Sequence, residues 1–412
     1  MSVGACTSHG CAVTTSVPAS TTTDRPPGMS RARVMALAAL GALSAMGYGV
    51  MFTVLDDYRD EFGIPAGQLG FIVGLGFVAA FIAQVLLAPI ADRGYARRLM
   101  VLGVLVDIAG LLVLGFGTTI EVLIMGRALS GLGAGMTMPA LRRLVIVGDP
   151  DRLGDNLGLL LACDVAGFAA GPLLSAILVG PFGLPAPYVV VAIAAAICLP
   201  LVLRQRVHDA GTVTSTSTSF DLLGSRHFRA AVAMGVAMWM MIGTFDALWV
   251  VVLDDLGADE WIANIGISVF VIPLIILGER GGRLAQRLGP FRLGPIGLGI
   301  GAVAMFTYGL MPSGLLMLVV GLVHAINDGF TVSSTSVAVG MVTPEGCHAS
   351  AQGLLGGIQT LMAGVAAVTA GLVYDSAGRT AAYAVCTVTM MCLICYTMAV
   401  TRLREGDGGF SG

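Results

Sequence analysis

Ionisable side chains lie inside long apolar runs of this 412-residue sequence. His324 and Asp328 are four positions apart, so they would share one face of a helix. Histidine titrates near neutral pH, and a carboxyl group in apolar surroundings holds its proton more tightly than one in water. Together with Arg127, Asp164 and Asp246, which also lie in apolar runs, this pair could bind and release protons. The alternative is a fixed network of charges that holds helices together.

The overall composition is that of a membrane protein. The sequence is 56% hydrophobic and 11% charged, and its mean hydropathy is +0.88, whereas soluble domains carry about 25% charged residues. It therefore predicts a multi-pass membrane protein. The sequence contains no nucleotide-binding loop and none of the short motifs of hydrolases, metalloproteases or dinucleotide-binding enzymes. We therefore expect a protein without enzymatic activity, cofactor, metal site or nucleic-acid partner.

Apolar segments of about 20 residues, long enough to cross the hydrocarbon core as helices, recur along the chain. Residues 204–225 are the longest polar interruption and are predicted to be a cytoplasmic linker between an N-terminal six-helix bundle, residues 31–203, and a C-terminal one, residues 226–404. Residues 1–30 are predicted to be a disordered cytoplasmic tail without a signal peptide, and residues 405–412 a second tail. The twelve predicted spans are approximately residues 34–55, 68–90, 99–117, 119–140, 157–179, 186–203, 229–253, 261–277, 293–310, 314–338, 351–373 and 380–400.

The arginines give these spans an orientation. All 22 basic residues are arginines, and 19 of them fall in segments on the same side of the membrane if the N-terminus is inside. Only Arg59 and Arg379 fall on the opposite side, and Arg127 lies within a span. Cytoplasmic loops of membrane proteins carry the excess of positive charge. The pattern predicts a protein of the cytoplasmic membrane with both termini in the cytoplasm.

A repeated tetrapeptide indicates an internal duplication. VLDD occurs at residues 54–57 and again at residues 252–255, 198 positions later. In each copy the first aspartate follows an arginine, Arg31 or Arg229, by 25 residues. That separation is about 38 Å along a helix, which matches a bilayer core with its edges. The chain therefore reads as two copies of a six-helix unit.

A second repeated pattern follows the second predicted span of each half. The segments are APIADRGYARRL at residues 88–99 and GRLAQRLGP at residues 282–290. They resemble the loop motif G-x-L-A-D-R-x-G-R-K/R of the major facilitator superfamily. The positions that match and that we expect to form a gate are Asp92, Arg93, Arg97, Gly282 and Arg287.

The two copies of the loop motif differ at the acidic position. The first copy carries Asp92, and the second carries Gln286 in its place. The resemblance implies that Asp92 lies against the N-terminus of the eleventh helix, near residues 350–352, where free N–H groups and partial positive charge would hold a carboxylate. Such a contact would join the two halves on the cytoplasmic side. The alternative is a basic loop that serves topology alone.

Two further segments resemble motifs of the same superfamily. GRALSGLGAG at residues 126–135 is similar to the fourth-helix motif R-x-x-x-G-x-G, which makes Arg127 its arginine. GFAAGPLLSA at residues 167–176 is similar to the antiporter motif G-x-x-x-G-P-x-x-G-G and matches it at Gly167, Gly171 and Pro172. The resemblance implies a fifth helix packed tightly between the bundles and proton-linked efflux. A generic packing face of small residues is the alternative.

The resemblance also implies a fold and a function. The fold is all-α, with twelve transmembrane helices in two pseudo-symmetric bundles around a central cavity lined by helices 1, 4, 7 and 10. Arg127, Asp246, His324 and Asp328 would lie at that cavity, whereas Asp107 would be structural. The expected function is alternating-access transport of a small, amphipathic molecule, most simply proton-coupled efflux by a monomer in membrane lipid. The alternative is proton-coupled import of a nutrient.

Overall fold

The computed structural model describes residues 28–64, 66–203 and 219–402. Within these residues all regular structure is helical and no strand is present. Helices satisfy every backbone hydrogen bond within one segment, which is why apolar runs of this length adopt them in lipid. The predicted C-terminal tail and most of the N-terminal tail and linker lie outside the described residues. The last part of the linker, Ser219–Gly224, is a 3-10 turn.

The long helices are numbered in chain order. The final helical stretch, His348–Arg402, is interrupted at Gly378, whose φ of 81° is a left-handed conformation that favours glycine. We therefore number residues 348–377 as α11 and residues 379–402 as α12. The others are α1 Arg31–Thr53, α2 Ala66–Leu86, α3 Ala96–Phe116, α4 Ile120–Gly148, α5 Leu153–Phe182, α6 Pro185–Leu203, α7 Arg226–Asp255, α8 Glu260–Leu288, α9 Pro290–Tyr308 and α10 Gly314–Thr331.

Seven of the described helical stretches are long and apolar enough to cross a membrane. Two of these stretches, Phe71–Phe116 and His348–Arg402, each contain two of the numbered helices. A shorter apolar stretch, Pro185–Pro200, lies in α6. By length and composition the chain therefore passes through the membrane several times.

Two helices extend well beyond their predicted apolar spans. α4 continues to Gly148, so Arg142 and Arg143 are helical residues and not part of a loop. α8 continues to Leu288 and includes Gly282 and Arg287. Helical hydrogen bonding does not require apolar side chains, so a helix does not end where its hydrophobic run ends. A criterion based on hydrophobicity alone therefore misses the polar C-terminal parts of α4 and α8.

The helices pack in a defined pattern. α1 packs against α5 and α6, and α4 packs against α2 and α3. α7 packs against α11 and α12, α8 against α10, and α9 against α12. The contacts between helices that precede the linker and helices that follow it include α5 with α8, α2 with α11 and α4 with α11.

Glycines allow α5 and α8 to approach closely. A methyl group built on Gly154 would lie 2.1 Å from the carbonyl oxygen of Gly282, and one on Gly158 would lie 2.2 Å from that of Gly278. Each helix thus has two glycines four residues apart at the contact, the spacing that lets helix backbones touch in membranes. These four glycines form the close backbone contact between α5, which precedes the linker, and α8, which follows it.

The predicted packing motif of α5 has a different partner. A methyl group on Gly167 would lie 2.0 Å from the carbonyl oxygen of Ala42, and one on Gly171 would lie 2.5 Å from the backbone nitrogen of Val50. Both contacts are with α1. Pro172 packs on the same helix. The fifth helix does pack between the two halves, through its contact with α8, but Gly167, Gly171 and Pro172 pack on α1 and not at that contact, which corrects the expectation for these three residues. They face α1 because residues 167–172 lie roughly two and a half to five turns further along α5 than the glycines that meet α8.

This packing predicts that one added methyl group on α5 lowers the stability of the protein at one position and leaves it unchanged at another. Gly171→Ala is expected to destabilise the protein by about 1–3 kcal/mol, since overpacking forces backbones apart. Gly180→Ala is the matched control on the same helix, because no atom lies within 4 Å of its added methyl group. Thermal unfolding of both variants in detergent measures the difference. Equal melting temperatures for the two variants would contradict the α1–α5 contact.

Candidate functional site

Asp92 joins the first half of the chain to the N-terminus of α11. It lies in a short π-helical turn, residues 91–95, and is 5% exposed. Its carboxylate accepts hydrogen bonds from the backbone N–H groups of Ala349 and Ser350, both 2.8 Å, and from the Ser350 hydroxyl at 2.7 Å. Arg143 Nε lies 3.2 Å from the same carboxylate. The contact expected from the sequence is therefore present.

A corresponding contact joins α8 to the N-terminus of α5. Gln286, at the position of Asp92 in the second copy of the motif, accepts a hydrogen bond from the backbone N–H of Gly154 at 2.6 Å. Its amide nitrogen donates to the carbonyl oxygens of Pro150 and Asp151 at 3.2 and 3.1 Å. A side-chain oxygen thus caps a helix of the other half in both copies. The neutral amide of Gln286 therefore makes the same kind of contact with a helix N-terminus as the charged carboxylate of Asp92.

Ion pairs surround the α5–α8 contact. Arg31 donates two hydrogen bonds to Glu279 at 2.8 and 2.9 Å, and Arg283 donates to Asp155. A cavity of about 520 Å³, whose lining includes Arg287, lies beside these pairs. The Arg31 side chain is 66% exposed, and exposed pairs contribute only about 0–1 kcal/mol. The buried contacts of Asp92 are therefore the stronger connection.

The other predicted gate residues lie at the same end of the molecule. Arg97 donates to the carbonyl oxygen of Leu203, and Arg93 is exposed. Gly282 makes the close backbone contact with Gly154. This end, which carries Arg93, Arg97, Arg283 and Arg287, is called the arginine-rich end below. All the contacts of Asp92, Gln286 and the surrounding ion pairs lie there, so the structure is closed at this end.

Arg127 is completely buried among aromatic rings. Its exposure is 0%, and its guanidinium carbon lies 4.0 Å from the ring centre of Tyr48 and 5.5 Å from that of Phe77. Among the described residues, none of its three guanidinium nitrogens has a hydrogen-bond partner, and neither does the Tyr48 hydroxyl. A methyl group on Gly76 would lie 2.2 Å from Arg127 Nε. Stacking on π faces therefore takes the place of ion pairing.

A buried carboxylate lies close to this arginine. Asp107 accepts hydrogen bonds from the hydroxyls of Ser44 at 2.6 Å and Ser130 at 2.7 Å. Ser130 follows Arg127 by one helical turn, and the charge of Arg127 acts on Asp107. The group links α1, α3 and α4. The sequence assigns Asp107 a structural role, and its two hydrogen bonds are compatible with that role.

His324 and Asp328 are in contact. His324 Nε2 lies 3.4 Å from the Asp328 carboxylate and 3.3 Å from the sulfur of Met241. The Tyr308 hydroxyl is 3.0 Å from His324 Nδ1. Asn327 donates to the other oxygen of Asp328 at 3.2 Å. The imidazole is 2% exposed, so the pair lies in a buried polar network between α7, α9 and α10.

Asp246 and Asp164 have different surroundings. Asp246 is exposed on α7, and no hydrogen bond or ion pair joins it to another described side chain. Asp164 on α5 lines a small pocket together with Arg142. The charge of Arg142 acts on Asp164 across that pocket.

Sequence comparison decides the family. The model of the Major Facilitator Superfamily matches residues 37–251, slightly more than half of the chain. The chain belongs to the major facilitator superfamily. It is a multi-pass membrane transporter.

Curated superfamily relatives include drug-resistance proteins. The chain is 25% identical over 302 residues to "Multidrug resistance protein 2" of Bacillus subtilis, covering 67% of this chain and 72% of that protein. It is 27% identical over 133 residues to "Quinolone resistance protein NorA" of Staphylococcus aureus, covering 31% of this chain and 33% of that one. The second match thus spans about a third of either protein.

Solved structures of the superfamily share the fold. The human organic anion transporter MFSD10 matches with a TM-score of 0.73 at 14% identity, covering 90% of this chain and all of that one. The E. coli fucose:proton symporter FucP matches with a TM-score of 0.72 at 15% identity, covering 90% of this chain and 98% of that one. At such identities the likeness concerns the fold alone.

This superfamily member does not bring its four expected cavity residues into one cluster. Arg127 of α4 lies beside Asp107 of α3. His324 and Asp328 form their own network, and Asp246 contacts neither. Among the described residues, no contact joins Arg127 to any of these three. In this closed conformation the charges therefore occupy separate environments.

Sequence reasoning missed three residues that the structure places at these contacts. Arg143 lies beyond the predicted span 119–140, yet it is 1% exposed and pairs with Asp92. Gln286 departs from the motif, yet it makes the corresponding contact. Arg142 also lies beyond the predicted span and faces Asp164. One signal was available, since two arginines directly follow the apolar part of the α4 sequence.

Proposed function

We propose that this transporter exports a small amphipathic molecule from the cytoplasm in exchange for protons. The observation that carries the proposal is the pair of polar contacts at the arginine-rich end, from Asp92 to α11 and from Gln286 to α5. Both contacts connect helices on opposite sides of the linker. They must break before a molecule can enter from that end, which is what alternating access requires.

Export is supported by the relatives. The two curated proteins described above are named for resistance to drugs, and resistance follows when a transporter removes a toxic molecule from the cell. The antiporter-like segment of α5, with Gly167, Gly171 and Pro172, favours the same direction. The fold likeness to a proton symporter concerns architecture alone, so import remains the alternative outcome of the test.

Twelve membrane spans in two bundles of six, with a central cavity, form the proposed architecture. Its support is the packing pattern, in which α5–α8 and α2–α11 are among the contacts between helices before and after the linker. The repeated VLDD and the two copies of the loop motif support the same division. The bias of the arginines supports cytoplasmic termini and a cytoplasmic position for the arginine-rich end.

Transport in inverted vesicles tests the function. The protein is expressed in a bacterial host without its own drug efflux pumps, and inverted membrane vesicles are acidified inside. A fluoroquinolone and ethidium serve as probes. We expect the probes to accumulate in the vesicles when the lumen is acidic and to leave when an uncoupler removes the gradient. Accumulation in intact cells, driven by the same gradient, would instead establish import.

The topology makes a separate prediction. A reporter fused after Arg59 should lie outside the cytoplasm, and one fused after Arg152 should lie inside, because three predicted spans separate the two positions and the arginines fix their sides. Alkaline phosphatase and a fluorescent protein, which are active on opposite sides, read the two positions. Activity of the same reporter at both positions would contradict the orientation.

A further inference from the structure

Arg142 and Asp164 face each other across a small pocket deep in the molecule. The pocket measures about 10 Å³, close to the smallest volume that holds one water molecule. Its wall consists of leucines and a methionine together with Gly41, Arg142, Asp164 and Ser336. Ser336 lies in the short helix Ser334–Val342, after the linker, whereas the other lining residues precede it. The pocket therefore lies between the two halves of the chain.

Asp164 has no direct polar partner in the described part of the chain. A methyl group on Gly41 of α1 would lie 3.3 Å from its Oδ1, so the carboxylate rests against that backbone. From α4 it faces Met138, Leu141 and Arg142, and from the other half Ser336. Arg142 is the charged group that acts on it. The carboxylate is therefore surrounded by apolar groups and one cation that it does not touch.

Arg142 also reaches the other half of the chain. Its Nη1 lies 3.6 Å from the position of a methyl group on Gly356 of α11, and Gln84 of α2 lies 2.3 Å from that same position. The guanidinium is thus at the α2–α11 contact, the one that Asp92 holds at its cytoplasmic edge. A movement of α11 away from α2 changes the surroundings of Arg142 but leaves Asp164 against α1.

We propose that Arg142 is a positioning residue that sets the pH at which Asp164 releases its proton, and that it couples this proton to the movement of the halves. The inference rests on the proton coupling proposed above. Asp164 would exchange one proton with water as its carboxyl group becomes a carboxylate. A largely apolar pocket disfavours the carboxylate, and a cation in the same pocket stabilises it. Arg142 supplies that cation. Its guanidinium lies at the α2–α11 contact, which changes when the two halves move.

Asp164 and Arg142 line the same pocket without forming a direct salt bridge. A buried salt bridge in direct contact holds its charges in place, because separating them costs several kcal/mol. Asp164 and Arg142 are instead separated by the pocket, so the carboxylate can gain a proton without breaking a direct bond. His324 and Asp328, by comparison, are in contact and are held by Tyr308 and Asn327.

The test is an infrared pH titration of the purified protein in lipid, which requires no transported molecule. The stretching band of a protonated carboxyl group that disappears in Asp164→Asn belongs to Asp164. In Arg142→Gln its midpoint should move to higher pH by about one unit or more, the usual effect of a nearby opposite charge. Arg142→Lys, which keeps the cation, should remain near the wild-type midpoint. Arg59→Gln, at the other end of the molecule, is the inert control.

A second variant keeps the inference testable if Arg142→Gln fails to fold. Ser336→Lys adds a cation to the pocket from the other half and should move the midpoint to lower pH. An unchanged midpoint in the folded variants, or no Asp164 band in the wild type at any pH between about 5 and 9, would overturn the inference. Failure of the vesicle assay with a normal titration would reject the proposed efflux alone. The transport pH profile of Arg142→Gln should shift in the same direction as its band.

Discussion

Asp92→Asn is expected to remove most transport while leaving probe binding nearly unchanged. The carboxylate accepts three hydrogen bonds from the N-terminus of α11 and lies beside Arg143. An asparagine keeps one acceptor oxygen but turns an N–H₂ group toward backbone N–H groups. Hydrogen bonds to charged groups contribute about 1.5–3 kcal/mol. The population closed at the arginine-rich end should therefore fall by about ten- to a hundredfold.

Two measurements separate this gating effect from loss of the binding site. Ethidium binding, followed by fluorescence polarisation, should keep its wild-type affinity, and ethidium uptake into acidified inverted vesicles should fall sharply. Glu121→Gln, an exposed acid in the first turn of α4 at the opposite end, is the inert control. Loss of binding with normal uptake rates at saturation would show that Asp92 contacts the transported molecule instead.

Gln286 offers a graded comparison at the equivalent position. Gln286→Leu removes hydrogen bonds between neutral groups, which contribute about 0.5–1.5 kcal/mol each. Asp92→Leu removes the same number of hydrogen bonds, each of them to a charged group, so the transport defect of Gln286→Leu should be smaller than that of Asp92→Leu. The two transport defects should differ because Asp92 carries a charge and Gln286 does not, although both side chains accept hydrogen bonds from a helix N-terminus.

Local patterns predicted a part of this molecule well. The all-helical fold follows from apolar runs, and the Asp92 contact follows from a motif that places an acid beside a helix N-terminus. His324 and Asp328 meet because residues four apart on a helix are neighbours. Each of these results depends on one segment or on one motif with a known partner.

Tertiary partners could not be predicted in the same way. Gly167 and Gly171 mark a close approach in the sequence, but nothing local says that the approaching helix is α1. Arg142 and Arg143 are polar, so a hydrophobicity criterion ends the span before them, although the helix continues. Asp107 becomes the neighbour of Arg127 only through the packing of α3 on α4. The charges that interact are thus fixed by packing, which single-segment patterns do not contain.

Asp328→Asn is expected to abolish proton-driven accumulation while exchange of probe across the membrane continues. The Asp328 carboxylate and the His324 imidazole lie 3.4 Å apart in a buried site, so loss of the carboxylate removes the ionisable group that faces the imidazole. Tyr308 and Met241 hold the ring in position. Asparagine preserves the size of the side chain and removes its ionisation. A carrier that cannot load a proton loses its driving force, but its halves can still alternate around a bound probe.

The matched comparison uses two other carboxylates of the same half. Asp246→Asn should produce the same separation of uphill uptake from exchange if Asp246 is the second proton site, and Asp254→Asn, an exposed acid at the end of α7, should behave as wild type. Uphill ethidium uptake into acidified inverted vesicles, set against exchange of labelled for unlabelled ethidium without a gradient, measures both activities. Wild-type accumulation by Asp328→Asn would show that His324 and Asp328 only hold α10 against α9 and α7. Proton coupling would then rest on carboxylates outside that network, of which Asp164 shares its pocket with a countercharge, Arg142.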